Sequence, residues 1–201
     1  MIYDIKSSEI EDFCKSNKMF ARITDHDHDI ESYLSTIKAF HWQPISKDND
    51  VYYESIGLQY DDPRYAYYDS VKTVWYMDEN HVERVNTKSV LKWGKWNALG
   101  IMLGLNKYDF YRTRVLKARP KCSSVWHIDY DWRYHIPLQT NKGCIVKYKD
   151  TQIHMPADGH AYINNAGFMH MFENKGTTDR YHICGILNYN CIGDGICKRS
   201  L

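Results

Sequence analysis

Three residues in the second half of the chain have the types and spacing of a metal site. His127 and Asp129 form an H-x-D pair in a segment whose composition predicts a β-strand. Side chains at positions i and i+2 of a strand point to the same face, so the imidazole and the carboxylate converge. His170, on a later predicted strand, is the best candidate for a third ligand. Two histidines and one carboxylate on one face of a metal are typical of non-haem Fe(II) sites.

Basic side chains near this pattern have the chemistry to hold anions. Arg180 follows His170 by ten residues, on the next predicted strand. An inward arginine near a metal suits a carboxylate ligand, and a buried arginine without an anion is costly. Arg133 and His135 form an i, i+2 pair that also shares one face. Two simpler interpretations remain open: a surface ion pair of Arg180 with Asp179, and a satisfied polar pair at the start of a strand.

Several neighbouring residues are expected to have structural roles. Trp126 and Trp132 flank the H-x-D pair on the opposite strand face, which favours core positions over a platform for the substrate. Asn164 and Asn165 are expected to close a turn. His182 shares the face of Arg180, and we expect a packed or hydrogen-bonded core histidine there rather than a metal ligand.

The elements that must position these residues are mostly short strands. From residue 109 onward, β-branched and aromatic residues alternate with turn residues, which predicts eight strands. The predicted strands are Tyr111–Ala118, Val125–Tyr130, Arg133–Gln139, Cys144–Tyr148, Gln152–His154, His160–Asn164, Met169–Glu173 and Arg180–Leu187. The predicted fold class is mainly β with flanking helices: a double-stranded β-helix, or cupin-like jelly roll, with N-terminal helical support.

The first half of the chain predicts helices and little else that carries chemistry. The predicted elements are helices at Ser7–Met19, Ile30–Phe40 and Ser89–Leu103 and a strand at Val51–Tyr60. His26 and His28 lie in the polar run Asp25–Asp29, and a solvated loop is favoured there over a metal site. We expect a single domain over 1–201, with 1–108 as support and substrate-loop region, 109–190 as catalytic jelly roll and 191–201 as a tail.

Length and charge exclude several partners. The chain has 201 residues and a net charge of +1, which gives no electrostatic footprint for nucleic acid or an anionic membrane. From Phe110 to Leu201 there are 13 basic and 7 acidic residues, so the rest of the chain is net acidic. This asymmetry fits either two differently charged surfaces or a C-terminal half that handles a small anion. No apolar run approaches the roughly 20 residues that a membrane span needs.

The six cysteines predict free thiols rather than a metal or disulfide framework. They form no C-x-x-C pair and no zinc-knuckle spacing. The N-terminus has acidic residues and no apolar core, unlike a signal peptide. We therefore expect a cytoplasmic protein with reduced thiols. Cys191 and Cys197, near a Gly-Asp-Gly turn, are expected to be free thiols, with a disulfide between them as the alternative.

The combined pattern resembles the aspartyl/asparaginyl β-hydroxylase family of 2-oxoglutarate-dependent oxygenases. The resemblance covers roughly Arg112 to Leu187 and not the first hundred residues. It rests on the following segments of the chain: His127-x-Asp129, Arg133-Tyr134-His135-Ile136-Pro137-Leu138-Gln139-Thr140-Asn141, Pro156-Ala157-Asp158-Gly159, Asn164-Asn165-Ala166, His170, Asn174-x-Gly176 and Arg180. This combination is far more specific than H-x-D alone.

The resemblance implies a role for each matching residue. His127, Asp129 and His170 would bind Fe(II). Arg180 would pair with the distal carboxylate of 2-oxoglutarate, and Arg133 and His135 would contact its metal-proximal end. A further contact would come from the preceding strand, where Arg112, Thr113 and Arg114 are all candidates.

The function implied is a 2-oxoglutarate- and Fe(II)-dependent dioxygenase that hydroxylates an unactivated C–H bond of an amino acid, free or in a peptide or protein. Dioxygen is the other co-substrate, and the substrate is expected to be a small molecule or a short peptide. Some relatives lack the acidic ligand, but Asp129 places this chain with the complete triad. The five residues between His127 and Arg133 are fewer than in some relatives, so this loop is expected to lie differently. The alternative is a cupin-like metal-binding sensor or binding protein without catalysis.

Overall fold

The described residues form two main β-sheets and a two-stranded ribbon, with helices on the outer face of the larger sheet. This computed structural model describes residues 1–16, 18–38, 43–44, 53–58, 74–77, 83–86, 110–129 and 131–190. The helices are α1 (Ile10–Cys14), which follows a 3₁₀ turn at Ser7–Glu9, and α2 (Ile30–Lys38). The strands are β1 (Tyr3–Ile5), β2 (Phe20–Ile23), β3 (Gln43–Pro44), β4 (Tyr53–Gly57), β5 (Val74–Met77), β6 (Glu83–Asn86), β7 (Phe110–Ala118), β8 (Cys122–Ser123), β9 (Asp131–Gln139), β10 (Cys144–Tyr148), β11 (Thr151–Ile153), β12 (Ala161–Asn165), β13 (His170–Asn174) and β14 (Arg180–Asn190).

The strand order is that of a jelly roll. Within the described residues, the larger sheet has the order β1-β2-β12-β9-β14-β7-β4-β3, and the smaller sheet has the order β11-β10-β13-β8. Strands β5 and β6 pair with each other as a separate antiparallel ribbon. The predicted fold class, mainly β with helical support, is therefore confirmed.

Apolar and polar residues alternate along the central strands, so the larger sheet has one apolar face and one face that carries polar side chains. On β9 the even-numbered residues from Trp132 to Leu138 are buried in a core shared with α1 and α2. Phe13 of α1, for example, meets Trp132 edge-on with ring centroids 5.7 Å apart. Arg133 and His135 lie between these positions and therefore face the other sheet. The helices thus brace one face of the larger sheet while the opposite face carries the polar residues.

A second core lies between the two sheets. Phe20 and Tyr162 of the larger sheet cluster with Val146 and Phe172 of the smaller sheet. The polar cavity described below interrupts this packing, with Val146 and Phe172 in its wall. Aromatic and branched side chains therefore hold the sheets apart around the cavity.

The first predicted helix is shorter than expected. Helical hydrogen bonding is confined to Ser7–Glu9 and α1, and Ser16 ends it because both its N–H and its hydroxyl bond to Phe13 O. The residues that follow form β2, which pairs in parallel with β1 and antiparallel with β12. These two strands were missed because strands of three and four residues are too short to display a clear alternation.

The predicted strand Val125–Tyr130 is not a regular strand. Among residues 125–129, which the structure describes, only His127 makes a ladder pairing, an isolated antiparallel bridge to His170. Asp129 N–H instead bonds to Ala166 O at 2.9 Å, so the segment turns away from the neighbouring strand. Residue 130, the whole of the predicted helix 89–103 and both ends of the predicted strand 51–60 lie outside the described residues.

Two further expectations concern the thiols and membranes. Cys14, Cys122, Cys144 and Cys184 are buried free thiols, as expected, whereas Cys191 and Cys197 lie outside the described part of the chain. Among the described residues, no helix has the length and apolar character that a membrane crossing requires. The cytoplasmic location stays a prediction.

Candidate metal centre and anion-binding cavity

Three potential metal ligands meet at the open end of the sheets. One ligand atom from each of His127, Asp129 and His170 lies within 4.8 Å of the other two. Backbone pairing brings the histidines together, because His127 and His170 each donate their N–H to the other's carbonyl at 2.9 Å. The irregular segment after β8 supplies two of these side chains, and the first residue of β13 supplies the third.

Backbone carbonyls fix the tautomers of both histidines. His127 Nδ1 lies 2.8 Å from Val125 O, and His170 Nδ1 lies 2.8 Å from Phe168 O. A carbonyl oxygen only accepts, so each Nδ1 carries a hydrogen, and in the neutral ring the lone pair is on Nε2. Metal-binding histidines are held in this way, with one nitrogen bonded to a carbonyl and the other on the metal.

Asp129 is held by Arg133 as an ionised carboxylate. Arg133 donates to Asp129 Oδ2 from Nη2 at 2.9 Å and from Nε at 3.1 Å. Burial would raise the pKa of this carboxyl, but the charge of Arg133 helps to lower it to about 2. The third member of the cluster is therefore negatively charged at neutral pH, as a divalent cation requires. Arg133, predicted from the resemblance to contact the co-substrate, here also orients a candidate metal ligand.

A cavity of about 210 Å³ opens beside this cluster. Its wall combines basic, polar and apolar side chains from both sheets. The lining residues are Arg114, Leu116, Ser124, His127, Asp129, Arg133, His135, Val146, Asn164, His170, Phe172, Arg180 and Cys184. All six sequence-predicted site residues are thus brought to one cavity.

Arg180 enters the cavity from β14 and is buried, with only 4 % of its surface exposed. The alternative of a surface ion pair is therefore wrong. Its guanidinium carbon lies 4.0 Å from the ring centroid of Phe172. Its Nη2 lies 2.6 Å from His182 Nδ1. His182 is a buried, hydrogen-bonded histidine, as the sequence predicts.

His135 belongs to a buried hydrogen-bond chain that the sequence did not reveal. Asn164 donates from Nδ2 to Tyr148 Oη at 3.0 Å, which leaves Asn164 Oδ1 to accept from His135 Nε2 at 2.9 Å. His135 Nδ1 is then a buried acceptor without a hydrogen-bond partner among the described residues. For His135 Nδ1 to donate to a carboxylate, the ring must carry its hydrogen on Nδ1 instead of Nε2. The Asn164 amide must then turn over, so that its Nδ2 donates to His135 Nε2. Asn164 is therefore a cavity residue, whereas Asn165 closes a turn as expected by accepting from Gly167 N–H.

The strand before the H-x-D segment contributes Arg114. Of the three candidates on β7, Arg114 lines the cavity, and alternation places Thr113 on the opposite face. The side chain of Arg112 lies outside the description. The sequence could not choose among the three because β-strand register is set by pairing with β14 and β4.

Exposed apolar side chains adjoin both histidine ligands. Trp126 is 48 % exposed, so the prediction of a core position is wrong, whereas Trp132 is fully buried as expected. Val125, Phe168 and Met169 are also exposed. All four exposed residues lie within two positions of His127 or His170, and the bridge between these histidines holds the two segments side by side.

Burial of neutral His135 makes the stability of the fold depend on pH. Burial, with Arg180 and Arg133 nearby, lowers the pKa of His135 from 6.5 to about 3. Below pH 6.5 the unfolded chain takes up a proton that the folded chain refuses, so stability falls as the pH decreases towards 3. For His135 alone, we expect the free energy of unfolding to be about 2 kcal/mol lower at pH 5 than at pH 8. Urea unfolding at both pH values measures this. The variant His135→Gln should show a smaller difference, and an equal difference in both proteins would contradict this assignment.

One protein family and several solved structures are similar to this chain. Residues 107–186 match the family model "Aspartyl/Asparaginyl beta-hydroxylase", which confirms the predicted resemblance over that segment, less than half of the chain. No protein of curated function matches the sequence. One similar solved structure is an oxidoreductase of the 2OG-Fe(II) oxygenase family from Burkholderia pseudomallei, with 11 % identity, 96 % of this chain and 98 % of that chain covered, and a TM-score of 0.49. Another is a Pseudomonas putida prolyl-4-hydroxylase, with 11 % identity, 87 % and 94 % coverage and a TM-score of 0.48.

Proposed function

We propose that this chain, whose residues 107–186 match the aspartyl/asparaginyl β-hydroxylase family, is a 2-oxoglutarate- and Fe(II)-dependent dioxygenase that hydroxylates an amino acid, free or within a peptide. One observation supports it most directly. A cluster of two imidazoles and a carboxylate shares one cavity with a buried arginine, Arg180. This combination provides for a metal and for a carboxylate ligand in the same place.

The donor set fits Fe(II). His127 and His170 offer neutral Nε2 lone pairs, and Asp129 offers an ionised carboxylate. When bound there, the iron and 2-oxoglutarate supply the oxidising chemistry, in which dioxygen is consumed and 2-oxoglutarate becomes succinate and carbon dioxide. The protein's part is to fix the ligands, and Arg133 does so for Asp129.

The wall of the cavity fits a dianionic co-substrate. Arg180 is proposed to take the distal carboxylate. Arg114 and His135 line the same cavity and are proposed to act at the metal-proximal end, together with Arg133. Fixed guanidinium groups bind carboxylates through paired hydrogen bonds, which gives orientation as well as affinity.

The alternative function is a metal-binding cupin-like sensor or binding protein. Such a protein needs the three ligands but has no need for arginines beside them. Arg180 is buried at 4 % exposure and lines the same cavity as the three ligands, where its guanidinium suits a carboxylate. The dioxygenase is therefore the favoured function.

The four exposed residues Val125, Trp126, Phe168 and Met169 form an apolar rim beside the metal-ligand cluster. This rim supports a substrate that extends beyond the cavity. Trp126 and its exposed neighbours offer apolar surface next to His127 and His170, which line the cavity. Apolar surface of this kind commonly marks a binding site. A peptide with apolar side chains near the target residue fits this rim better than a free polar amino acid.

The test of the proposed function is metal-dependent turnover of 2-oxoglutarate. We expect succinate to form when Fe(II), 2-oxoglutarate, dioxygen and a substrate are present, and a product heavier by one oxygen to appear in mass spectra. Free amino acids and peptides with apolar or charged flanking residues form the substrate panel. If the protein does not bind 2-oxoglutarate in the presence of Fe(II), the proposal is wrong and the metal-binding alternative is supported.

A further inference from the structure

Arg180 has an unusual neighbour for a buried guanidinium, namely a histidine two residues along the same strand. Positions i and i+2 of β14 share a face, so Arg180 and His182 lie side by side. They are 4 % and 1 % exposed, and Arg180 Nη2 lies 2.6 Å from His182 Nδ1. Of these two residues, Arg180 lines the cavity and His182 does not.

The chemistry of the two groups fixes the direction of this hydrogen bond. A guanidinium carries donors only, so His182 Nδ1 is the acceptor. The ring is therefore neutral, and its hydrogen lies on Nε2. Burial and the charge of Arg180 both hold the pKa of His182 well below its usual range, which keeps the ring neutral. A neutral acceptor holds the guanidinium without cancelling its positive charge.

Two further observations indicate that the ring is placed for Arg180. His182 Nε2 is buried and has no hydrogen-bond partner among the described residues. A buried donor left unpaired costs free energy, and a histidine with a purely structural role would be expected to satisfy both nitrogens. The guanidinium is also held on its face, since its central carbon lies 4.0 Å from the Phe172 ring centroid. Phe172 on one side and His182 at one edge leave few orientations for the group.

We propose that His182 is a positioning residue that orients Arg180 for the distal carboxylate of a bound 2-oxo acid. The proposal rests on the function proposed above and deepens it. Without the Nδ1 acceptor, the guanidinium of Arg180 loses a hydrogen bond that fixes its orientation, and a dicarboxylate loses its fixed anchor. A co-substrate without a distal carboxylate is not affected.

The test compares two ligands that differ only in this carboxylate. Binding of 2-oxoglutarate and of 2-oxopentanoate to the full-length protein is measured calorimetrically with Fe(II) and without oxygen, so that no turnover occurs. His182→Leu should weaken 2-oxoglutarate about tenfold, the effect of one hydrogen bond to a charged group, and leave 2-oxopentanoate unchanged within about twofold. His182→Asn, whose Oδ1 can replace Nδ1 as acceptor, should restore most of the difference.

Each of the other outcomes overturns either the positioning role of His182 or the function on which it rests. Equal loss of both ligands in His182→Leu, or no loss of either, overturns the positioning role. If wild type binds 2-oxopentanoate and 2-oxoglutarate equally, the anchor itself is absent. If wild type binds neither ligand, the proposed function fails first. Nitrogen-15 NMR of the wild-type protein tests the geometry even if His182→Leu does not fold: the Nε2–H tautomer is expected, and an Nδ1–H tautomer would overturn the proposal.

Discussion

Replacing His170 with alanine is expected to abolish metal-dependent turnover, with a loss of at least about 10³-fold, because without the metal the protein has no oxidising chemistry. His170 supplies Nε2 to the three-ligand cluster, and the bond from its Nδ1 to Phe168 O fixes the direction of that lone pair. Removing it leaves His127 and Asp129 alone. Fe(II) affinity, measured by anaerobic titration, should fall together with the rate of succinate formation.

His154 provides the matched control for this loss. It is a partly buried histidine in the same part of the fold, and its Nδ1 also pairs with a backbone carbonyl, Cys144 O at 2.9 Å. His154→Ala removes an equivalent side chain that is not part of the metal-ligand cluster. It should keep Fe(II) affinity and turnover near those of wild type. Equal metal affinity in His170→Ala and wild type would place the metal elsewhere.

Replacing Arg180 with methionine is expected to raise the KM for 2-oxoglutarate about 100-fold or more. Two charge-assisted hydrogen bonds to a carboxylate together account for about 3 kcal/mol or more. Methionine keeps much of the side-chain length and the contact with Phe172, so the change removes mainly the guanidinium. Turnover at saturating 2-oxoglutarate should be affected less than KM, because Arg180 is not a member of the metal-ligand cluster.

Arg22→Met is the control for arginine loss as such. Arg22 pairs with Asp4 at 2.9 Å on the surface of the larger sheet, and its removal should leave the KM unchanged. A third variant, Arg133→Met, should change the binding of both the metal and the co-substrate. Because Arg133 bonds to Asp129, it should weaken Fe(II) binding as well as 2-oxoglutarate binding. An unchanged KM in a folded Arg180→Met protein would remove Arg180 from the proposed co-substrate site.

The sequence predicted the jelly roll where alternation was strong. On β9, apolar and polar residues alternate so regularly that both the strand and its two faces follow from it. Edge strands such as β1 (Tyr3–Ile5) are too short for this signal. For the segment around His127 the prediction of a strand was wrong. Its composition favours a strand, yet it makes one bridge and then turns.

The sequence predicted which residues belong to the candidate site, but not the contacts between them. His127, Asp129, His170 and Arg180 were recognised because residue type and spacing restrict the chemistry they can do. Arg133 was expected at the co-substrate, and the structure adds its bond to Asp129. Nothing in the sequence assigned Asn164 to the cavity, because its role depends on a neighbour 29 residues away, His135.

The sequence by itself determined which groups are available: two imidazoles and a carboxylate for a metal, and arginines for a carboxylate. The strand period also placed Arg133 and His135 on one face. The tertiary structure decided which groups meet. Arg114 rather than Thr113 lines the cavity because register with β14 (Arg180–Asn190) turns it inward. His182 bonds to Arg180, and Trp126 faces solvent, because long-range pairing sets burial. Local sequence limits chemistry and alternation, whereas contacts between distant segments depend on packing that no local pattern contains.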